Sequence, residues 1–201
     1  MNDIIDKYNK VAEVYAKSRL GTEDIQALKK FASLLKPGDK VLDAGCAAGR
    51  DTRILKDMGL DVTGTDLAEN LLKIAKRANP DIQFTLADIR QLPFADHTFN
   101  GMWVCAVLHH VQKTEMPQAI REFKRVLTSG GILYVHTKAG TGTLRTNEAT
   151  VQGETREFEL VTAKELDAML TAAGYTKLSL TGRPSRTRPG VSWVTATYKA
   201  S

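Results

Sequence analysis

The chain has 201 residues, of which 42% are hydrophobic and 25% are charged, a balance that is typical of one globular domain and excludes intrinsic disorder. No apolar run approaches the roughly 20 residues of a membrane helix, and the polar start lacks the layout of a signal peptide, so we expect a cytoplasmic protein with no membrane partner. The net charge of +5 is spread along most of the chain, so we interpret it first as a contribution to solubility and only second as a sign of an anionic partner.

Two helices are predicted at the start of the chain. Residues 3–18 place apolar side chains at helical spacing between charged ones, and a second apolar stripe runs from Ile25 to Leu35 before Pro37-Gly38 stops it. We therefore expect residues 1–201 to form a single domain in which residues 1–36 are an N-terminal helical cap.

From Lys40 onward, short apolar strands alternate with helices, and this rhythm predicts parallel βαβ units. The predicted strands are 41–42, 62–65, 82–87, 101–105 and 132–137, and the predicted helices between them are 52–58, 67–78 and 117–127. Residues 138–156 are rich in Gly and Thr and are predicted to form a long loop.

The last part of the chain predicts a helix at 163–173 and two strands at 177–181 and 191–198. The short connection between these strands favours antiparallel pairing. The fold class is therefore α/β, a doubly wound and mostly parallel sheet with a C-terminal antiparallel hairpin strand.

A glycine-bearing turn follows the first strand, where Asp43 leads directly into Gly45 and Gly49 before a helix. Glycine lets a ligand approach the backbone closely, and a helix N-terminus offers N–H groups to polar ligands. Dinucleotide enzymes share such a turn, so by itself it predicts only a nucleotide-like ligand.

Two further acids end the second and third predicted strands, Asp66 and Asp88. Open α/β sheets bind ligands at the carboxyl ends of their strands, where Asp66 would accept hydrogen bonds from ribose hydroxyls and Asp88 one from an adenine amino group. The alternative is that each Asp caps the helix that follows it, as aspartates often do. Their joint placement favours the ligand.

The residues from Val41 to Thr52 resemble the first motif of the class I S-adenosylmethionine-dependent methyltransferases, which have a Rossmann-like fold. Later motifs resemble the same family, and the likeness spans about residues 8–200. Within that family, the chain is similar to the small stand-alone enzymes of the ubiquinone-biosynthesis and tellurite-resistance type. The later motifs are Thr63-Gly64-Thr65-Asp66-Leu67, Ala87-Asp88-Ile89, Leu92-Pro93-Phe94, Val107-Leu108-His109-His110-Val111 and residues 125–131.

The resemblance implies S-adenosylmethionine as cofactor and assigns residues to its parts. The cofactor-binding residues would be Tyr15, Arg19, Asp43, Gly45, Cys46, Ala47, Gly49, Asp66, Leu67, Asp88, Ile89, Cys105 and Ala106. Ala47 stands where the family usually has glycine, which narrows the approach to the cofactor but is compatible with binding if φ at Ala47 stays negative. The two tyrosines of the first helix, Tyr8 and Tyr15, either close the pocket or only pack the helix down.

The methyl acceptor would be a small molecule. His109 is the candidate base, while for His110 we favour a backbone hydrogen bond. Arginines in the later loops would match a carboxylate or phosphate and favour an acidic acceptor, with solvated loop charges as the alternative. The predicted substrate residues are Tyr8, Arg145, Arg156 and Arg186.

Two other functions are also compatible with the sequence. A tRNA or RNA methyltransferase is the nearest alternative, although 6% aromatic residues are few for base stacking, so we do not expect a nucleic-acid partner. A non-catalytic S-adenosylmethionine-binding protein is another. Cys46 and Cys105 are too few for a zinc cluster, so no metal is expected. The chain is expected to be a monomer or homodimer.

Overall fold

The computed structural model describes residues 2–19, 21, 24–147, 155–184 and 191–201. Its strands are β1 Lys40–Ala44, β2 Asp61–Asp66, β3 Gln83–Leu86, β4 Phe99–Cys105, β5 Leu127–Ala139, β6 Thr143–Asn147, β7 Thr155–Glu159, β8 Tyr175–Pro184 and β9 Ser192–Ala200. Its helices are α1 Asn2–Lys10, α2 Ala12–Ser18, α3 Ile25–Ala32, α4 Arg50–Asp57, α5 Glu69–Ala78, α6 Met116–Val126 and α7 Ala163–Ala172, with a short 3₁₀ helix at Leu108–His110.

Seven strands form the main sheet, in the order β3-β2-β1-β4-β5-β9-β8. The strands from β3 to β5 pair in parallel, whereas β9 lies antiparallel between β5 and β8. The prediction of a mostly parallel sheet closed by a C-terminal antiparallel hairpin is therefore confirmed. The order reverses at β1, whose neighbours are β2 and β4, and ligands bind at such a reversal in open sheets of this kind.

Helices cover both faces of the sheet. On one face, the buried residues of α6 and α7 pack against alternate residues of the central strands. On the other face, Phe31 of α3 packs against Trp103, whose ring stacks 3.9 Å from that of Tyr134. No helix among the described residues is long and apolar enough to span a membrane.

The N-terminal segment differs from its prediction. The single helix predicted at 3–18 is two helices, because the backbone leaves the helical conformation at Val11, where φ is −111° and ψ is 16°. Both α1 and α2 lie against α5. The third helix, α3, belongs instead to the sheet-covering layer, so only α1 and α2 occupy a position over the edge of the sheet.

The prediction of a long loop at 138–156 is wrong for the residues that the structure describes, and 148–154 lie outside them. Strand β5 continues to Ala139, and β6 and β7 pair as an antiparallel hairpin outside the main sheet. In β7, Arg156 and Phe158 are buried and Glu157 between them is exposed, which is the alternation of a half-buried strand. The pattern was hidden because one of the two buried residues is a charged arginine.

A glycine in β2 is required by packing. A Cβ at Gly64 would lie 2.6 Å from Cδ1 of Phe84 and 2.9 Å from Sγ of Cys46. We predict that Gly64→Ala lowers the free energy of unfolding by about 1–3 kcal/mol through overpacking, measured by chemical denaturation. The matched control is Gly182→Ala in β8, where the nearest atom would lie 4.0 Å away. Equal stability of the two variants would contradict the prediction.

Candidate active site

The three predicted acids meet at one edge of the sheet. Asp43 lies near the end of β1, Asp66 is the last residue of β2, and Asp88 follows the end of β3. Because these strands are parallel neighbours, their carboxyl ends share an edge. Two clefts open along this edge and beneath α1 and α2.

The first, which we call the apolar cleft, is lined mainly by aliphatic side chains together with Asp66, Asp88, Tyr8 and His110. The second, which we call the charged cleft, is lined by the glycine turn and by ionisable side chains of α2 and α4. The two clefts adjoin, since Tyr15, Gly45, Ala47 and Ala106 line both. Together they form one elongated site with an apolar end and a charged end.

Every residue that the sequence assigned to the cofactor lines one of these clefts. Asp66, Leu67, Asp88 and Ile89 line the apolar cleft, and Arg19, Asp43, Cys46, Gly49 and Cys105 line the charged cleft. The sequence reasoning missed the contribution of Ile4 and Ile5 from α1, and of Val107 and Val111 around the 3₁₀ helix. The helical spacing of Ile4 and Tyr8 was the available signal for the first of these.

The glycine turn uses its own amides within the protein. The backbone N–H groups of Gly45 and Cys46 donate to the carbonyl of Thr65, at 2.8 and 2.9 Å, and the N–H of Ala47 donates to Asp66 Oδ2 at 2.9 Å. These amides therefore donate to residues of β2, and their hydrogen bonds are already made within the protein. What the turn offers the site is its backbone, since Gly45 lines both clefts. Glycine is required there because φ is +80° and a Cβ would lie 2.5 Å from Cβ of Val107.

Ala47 has a positive φ. Its φ is +49°, in the left-handed region, so the condition of a negative φ is not met. A Cβ in this region is crowded by the following carbonyl at a cost of about 1–2 kcal/mol. The hydrogen bond from Ala47 N–H to Asp66 holds the backbone there despite this strain.

Both acids of the apolar cleft are engaged with the protein. Asp66 accepts the N–H of Ala68 through Oδ1 at 2.8 Å as well as that of Ala47. Burial raises the pKa of Asp66, and these amides oppose the shift. Asp88 pairs with Arg90, whose Nη2 lies 2.5 Å from Oδ2. Neither carboxylate caps a helix, since the N-cap of α5 is Ala68 and no helix directly follows Asp88. Their partners are nevertheless local, and each carboxylate still borders the cleft.

Asp43 is buried, with 2% of its surface exposed, and Thr52 Oγ1 donates to its Oδ2 at 2.6 Å. Burial raises the pKa of Asp43 to about 8, with a further contribution from the nearby carboxylate of Asp51. At neutral pH, this residue is therefore mostly a neutral acid in the absence of a ligand. A cation next to it would favour its charged form.

Side chains of α1 and α2 form a cover over both clefts. Tyr8 and Tyr15 meet edge to face with ring centroids 5.0 Å apart. The cover is tied to the sheet edge by Arg50, whose Nη1 donates to the carbonyl of Arg19 at 3.0 Å, and by a pair of hydrogen bonds between Asn9 and Asn70. The cover therefore both lines and encloses the site.

The two adjacent histidines lie in different places. His109 has 2% of its surface exposed and does not line either cleft, and its Nδ1 lies 3.2 Å from Thr137 Oγ1 and accepts the N–H of Lys138 at 3.3 Å. His110 lines the apolar cleft, and its Nε2 lies 3.2 Å from the Tyr8 hydroxyl. Burial lowers the pKa of both rings, that of His110 to about 3.

Two of the predicted substrate arginines, Arg145 and Arg156, lie on strands and do not line either cleft. Arg145 lies in β6, is 74% exposed and pairs with Glu157 at 2.6 Å. Arg156 lies in β7 with 3% of its surface exposed, and its Nη1 donates to the Tyr8 hydroxyl at 2.6 Å. Arg186 lies outside the described residues. The basic residues that line the charged cleft are Lys17, Arg19, Arg50 and Arg53.

Both cysteines are thiols within the fold, and burial raises the pKa of each. Cys46 packs with Leu72 and Phe84, and Cys105 lines the charged cleft at the end of β4. In the part of the chain that the structure describes, no group of three or more His, Cys, Asp and Glu side chains is arranged to hold a metal ion.

The chain is similar to known methyltransferases. A family model described as "Methyltransferase domain" matches residues 42–135. A demethylmenaquinone methyltransferase of Renibacterium salmoninarum is 34% identical over 134 residues, which cover 67% of this chain and 55% of that protein. The first curated relatives are longer than this chain, which spans 55%, 51% and 58% of their lengths.

Solved structures share the fold. A methyltransferase of Methanosarcina mazei superposes with a TM-score of 0.74 at 22% identity, covering 83% of this chain and 94% of that one. A Burkholderia thailandensis 1,6-didemethyltoxoflavin-N1-methyltransferase, solved with its substrate and S-adenosylhomocysteine, superposes with a TM-score of 0.71 at 20% identity, covering 100% and 89%. The matching family model, the curated relatives and the shared fold together support a class I S-adenosylmethionine-dependent methyltransferase.

Proposed function

We propose that the protein is an enzyme that transfers a methyl group from S-adenosylmethionine to a small-molecule acceptor. The observation that carries the proposal is the pair of adjoining clefts at the reversal point of the sheet, apolar at one end and charged at the other. S-adenosylmethionine has the same division, since it joins a flat adenosine to a zwitterionic amino acid.

The residues present fit the cofactor. Leu67 and Ile89 would contact the two faces of the adenine in the apolar cleft, and Asp66 would accept from the ribose hydroxyls with the lone pairs that its amide partners leave. At the charged end, Arg19 would pair with the carboxylate and Asp43 with the ammonium group. Cys105 and Ala106, at the junction, would lie beside the sulfonium.

The bound cofactor supplies an electrophilic methyl group, so the protein needs to align an acceptor with it and exclude water. Alignment of this kind contributes roughly 7–11 kcal/mol to lowering a bimolecular barrier. Tyr8, Tyr15 and the apolar side chains of α1 enclose the site from above. His110 replaces His109 as the candidate to contact the acceptor, because it lines the cleft and His109 does not.

The remaining expectations stay predictions: a cytoplasmic location, a monomer or homodimer, and an acidic acceptor. The last does not rest on Arg145, which is exposed and paired with Glu157. It rests on the contact of Arg156 with Tyr8, which lines the apolar cleft.

The ribose assignment of Asp66 is tested by substitution. We predict that Asp66→Ala weakens the binding of S-adenosylmethionine and S-adenosylhomocysteine by about tenfold to a hundredfold, measured by calorimetry, because hydrogen bonds to a charged acceptor are lost. Asp61→Ala, at the exposed start of the same strand, is the control and should bind both ligands normally. Unchanged affinity in a folded Asp66→Ala would refute the assignment.

The ammonium assignment of Asp43 predicts a proton release. With its pKa near 8, Asp43 is mostly protonated at about pH 7, and an ammonium group beside it lowers that pKa. Binding of S-adenosylhomocysteine should therefore release a proton, and affinity should rise with pH until about 8 and then level. Calorimetry in phosphate and in Tris buffers measures the release, which Asp43→Asn should abolish. Proton uptake, or no buffer dependence, would contradict the assignment.

Strain at Ala47 predicts a stabilising substitution. Ala47→Gly should raise the free energy of unfolding of the ligand-free protein by about 1 kcal/mol, because glycine adopts a positive φ without strain. Ala48→Gly, one residue along and without a positive φ, should instead lower it by about 0.4–1 kcal/mol. Chemical denaturation measures both, and a destabilised Ala47→Gly would show that the turn is not strained.

A further inference from the structure

The hydroxyl of Tyr8 is held between two side chains that come from distant parts of the chain. Arg156 Nη1 lies 2.6 Å from it and His110 Nε2 lies 3.2 Å from it. The guanidinium group of Arg156 also lies over the Tyr8 ring, 5.5 Å from its centroid, and over that of Phe158 at 5.2 Å. Tyr8 itself lines the apolar cleft.

The protons in this array can be assigned from the chemistry of each group. A guanidinium group only donates, so the Tyr8 oxygen accepts from Arg156. The imidazole of His110 has two neutral forms. Either Tyr8 donates its proton to a bare Nε2, or Nε2 carries the proton and donates it to the second lone pair of the Tyr8 oxygen.

The other nitrogen of His110 decides between these forms. Its Nδ1 is buried and has no hydrogen-bond partner among the described residues. A proton placed on Nδ1 would be a buried N–H without an acceptor, whereas a bare Nδ1 leaves only an unused lone pair. Buried orphan N–H groups are rarer than under-satisfied acceptors, so the form with the proton on Nε2 is favoured.

In that form, the Tyr8 oxygen accepts two hydrogen bonds and its own proton remains to be donated. We propose that Tyr8 donates this hydrogen bond into the apolar cleft, to an anionic oxygen of the methyl acceptor, and that Arg156 and His110 are positioning residues that orient and polarise it. The substrate class is then an acceptor that reacts as its oxygen anion, such as a phenolate, an enolate or a carboxylate. This inference rests on the proposed function and names its substrate class.

Two cations lie in or beside the array and favour an anion, and the two carboxylates that line the same cleft, Asp66 and Asp88, already have partners. Lys138 is buried with its Nζ 4.4 Å from the centroid of the Phe158 ring, so a second cation lies against the ring that Arg156 also contacts. Burial is the main reason that the pKa of His110 is lowered, and the charges of Arg156 and Lys138 lower it further. The ring therefore stays neutral at physiological pH. Burial raises the pKa of Tyr8, which therefore keeps the proton that it donates. With its pKa lowered to about 3, His110 would be a poor general base, because it would hold a transferred proton weakly.

The reaction balances without a protein base. The acceptor enters as an anion, having lost its proton to water, and its lone pair forms the new bond to the methyl carbon. The bond between that carbon and sulfur breaks, and its electron pair goes to sulfur. Negative charge on the acceptor and positive charge on sulfur are both lost, and Tyr8 is protonated before and after the step.

The tautomer of His110 is a direct test in the unmodified, ligand-free protein. The ¹⁵N chemical shifts of the histidine rings distinguish a proton on Nε2, on Nδ1 or on both, and a His110→Gln variant identifies the His110 signals among those of the four histidines. We expect a neutral ring with the proton on Nε2 at about pH 7. A proton on Nδ1, or a doubly protonated ring, would overturn the proposal.

The second test uses the complex with S-adenosylhomocysteine and two probes of one shape, the 4-nitrophenolate anion and neutral 4-nitroaniline, titrated by absorbance. We expect the anion to bind more tightly, and Tyr8→Phe to weaken the anion by about tenfold to a hundredfold while changing 4-nitroaniline by less than about threefold. Tyr175→Phe, which removes a buried hydroxyl on β8, is the matched control and should change neither.

The proposal is overturned if the anion shows no preference over the amine, if it does not bind saturably, or if Tyr8→Phe weakens both probes equally. Should Tyr8→Phe fail to fold, the histidine signals of the native protein still decide the matter. Failure of the proposed function would look different, because S-adenosylhomocysteine would then not bind in calorimetry at all.

Discussion

The carboxylate of Asp66 is the point on which the geometry of the site depends. It accepts the N–H of Ala47 in the glycine turn and the N–H of Ala68 at the start of α5, so one side chain fixes two backbone segments of different βα units. Partly buried carboxylates need such partners, since an unpaired one is costly to remove from water. The N–H that Asp66 Oδ2 accepts belongs to Ala47, the residue of the turn whose φ of +49° is strained.

The same constraint explains why the apolar and charged clefts adjoin. Hydrogen bonds to the carbonyl of Thr65 and to Asp66 hold the turn against β2. The turn therefore lies between the ends of β1 and β2, and its glycines line the clefts. Ala106, at the end of β4, also has a positive φ, of 59°. Two non-glycine residues in a sparsely populated conformation thus border the junction, and strain of this kind is held only where the surrounding structure determines it.

The sequence correctly placed the three acids at one edge of the sheet, because that placement follows from local signals. Asp43, Asp66 and Asp88 each follow a short apolar strand, and parallel strands bring their ends together. The break between α1 and α2 at Val11 was not predictable, since helical spacing of apolar residues continues through it. Nor was the placement of His109, because two adjacent residues on a 3₁₀ helix point in different directions that spacing alone does not assign.

The sequence named Tyr8 and Arg156 as substrate residues, but their contact was not predicted, because it joins residues far apart in the chain. Arg156 meets Tyr8 across 148 positions and only because β6 and β7 form a hairpin that sequence patterning did not show. Burying an arginine there is costly unless its donors are satisfied, and Tyr8 together with the aromatic faces supplies part of that requirement. An arginine on the surface would donate to water and would not need a partner such as Tyr8. The burial of Arg156 against the cover therefore makes the hairpin and α1 depend on each other, and the acceptor selection that we propose would depend on both.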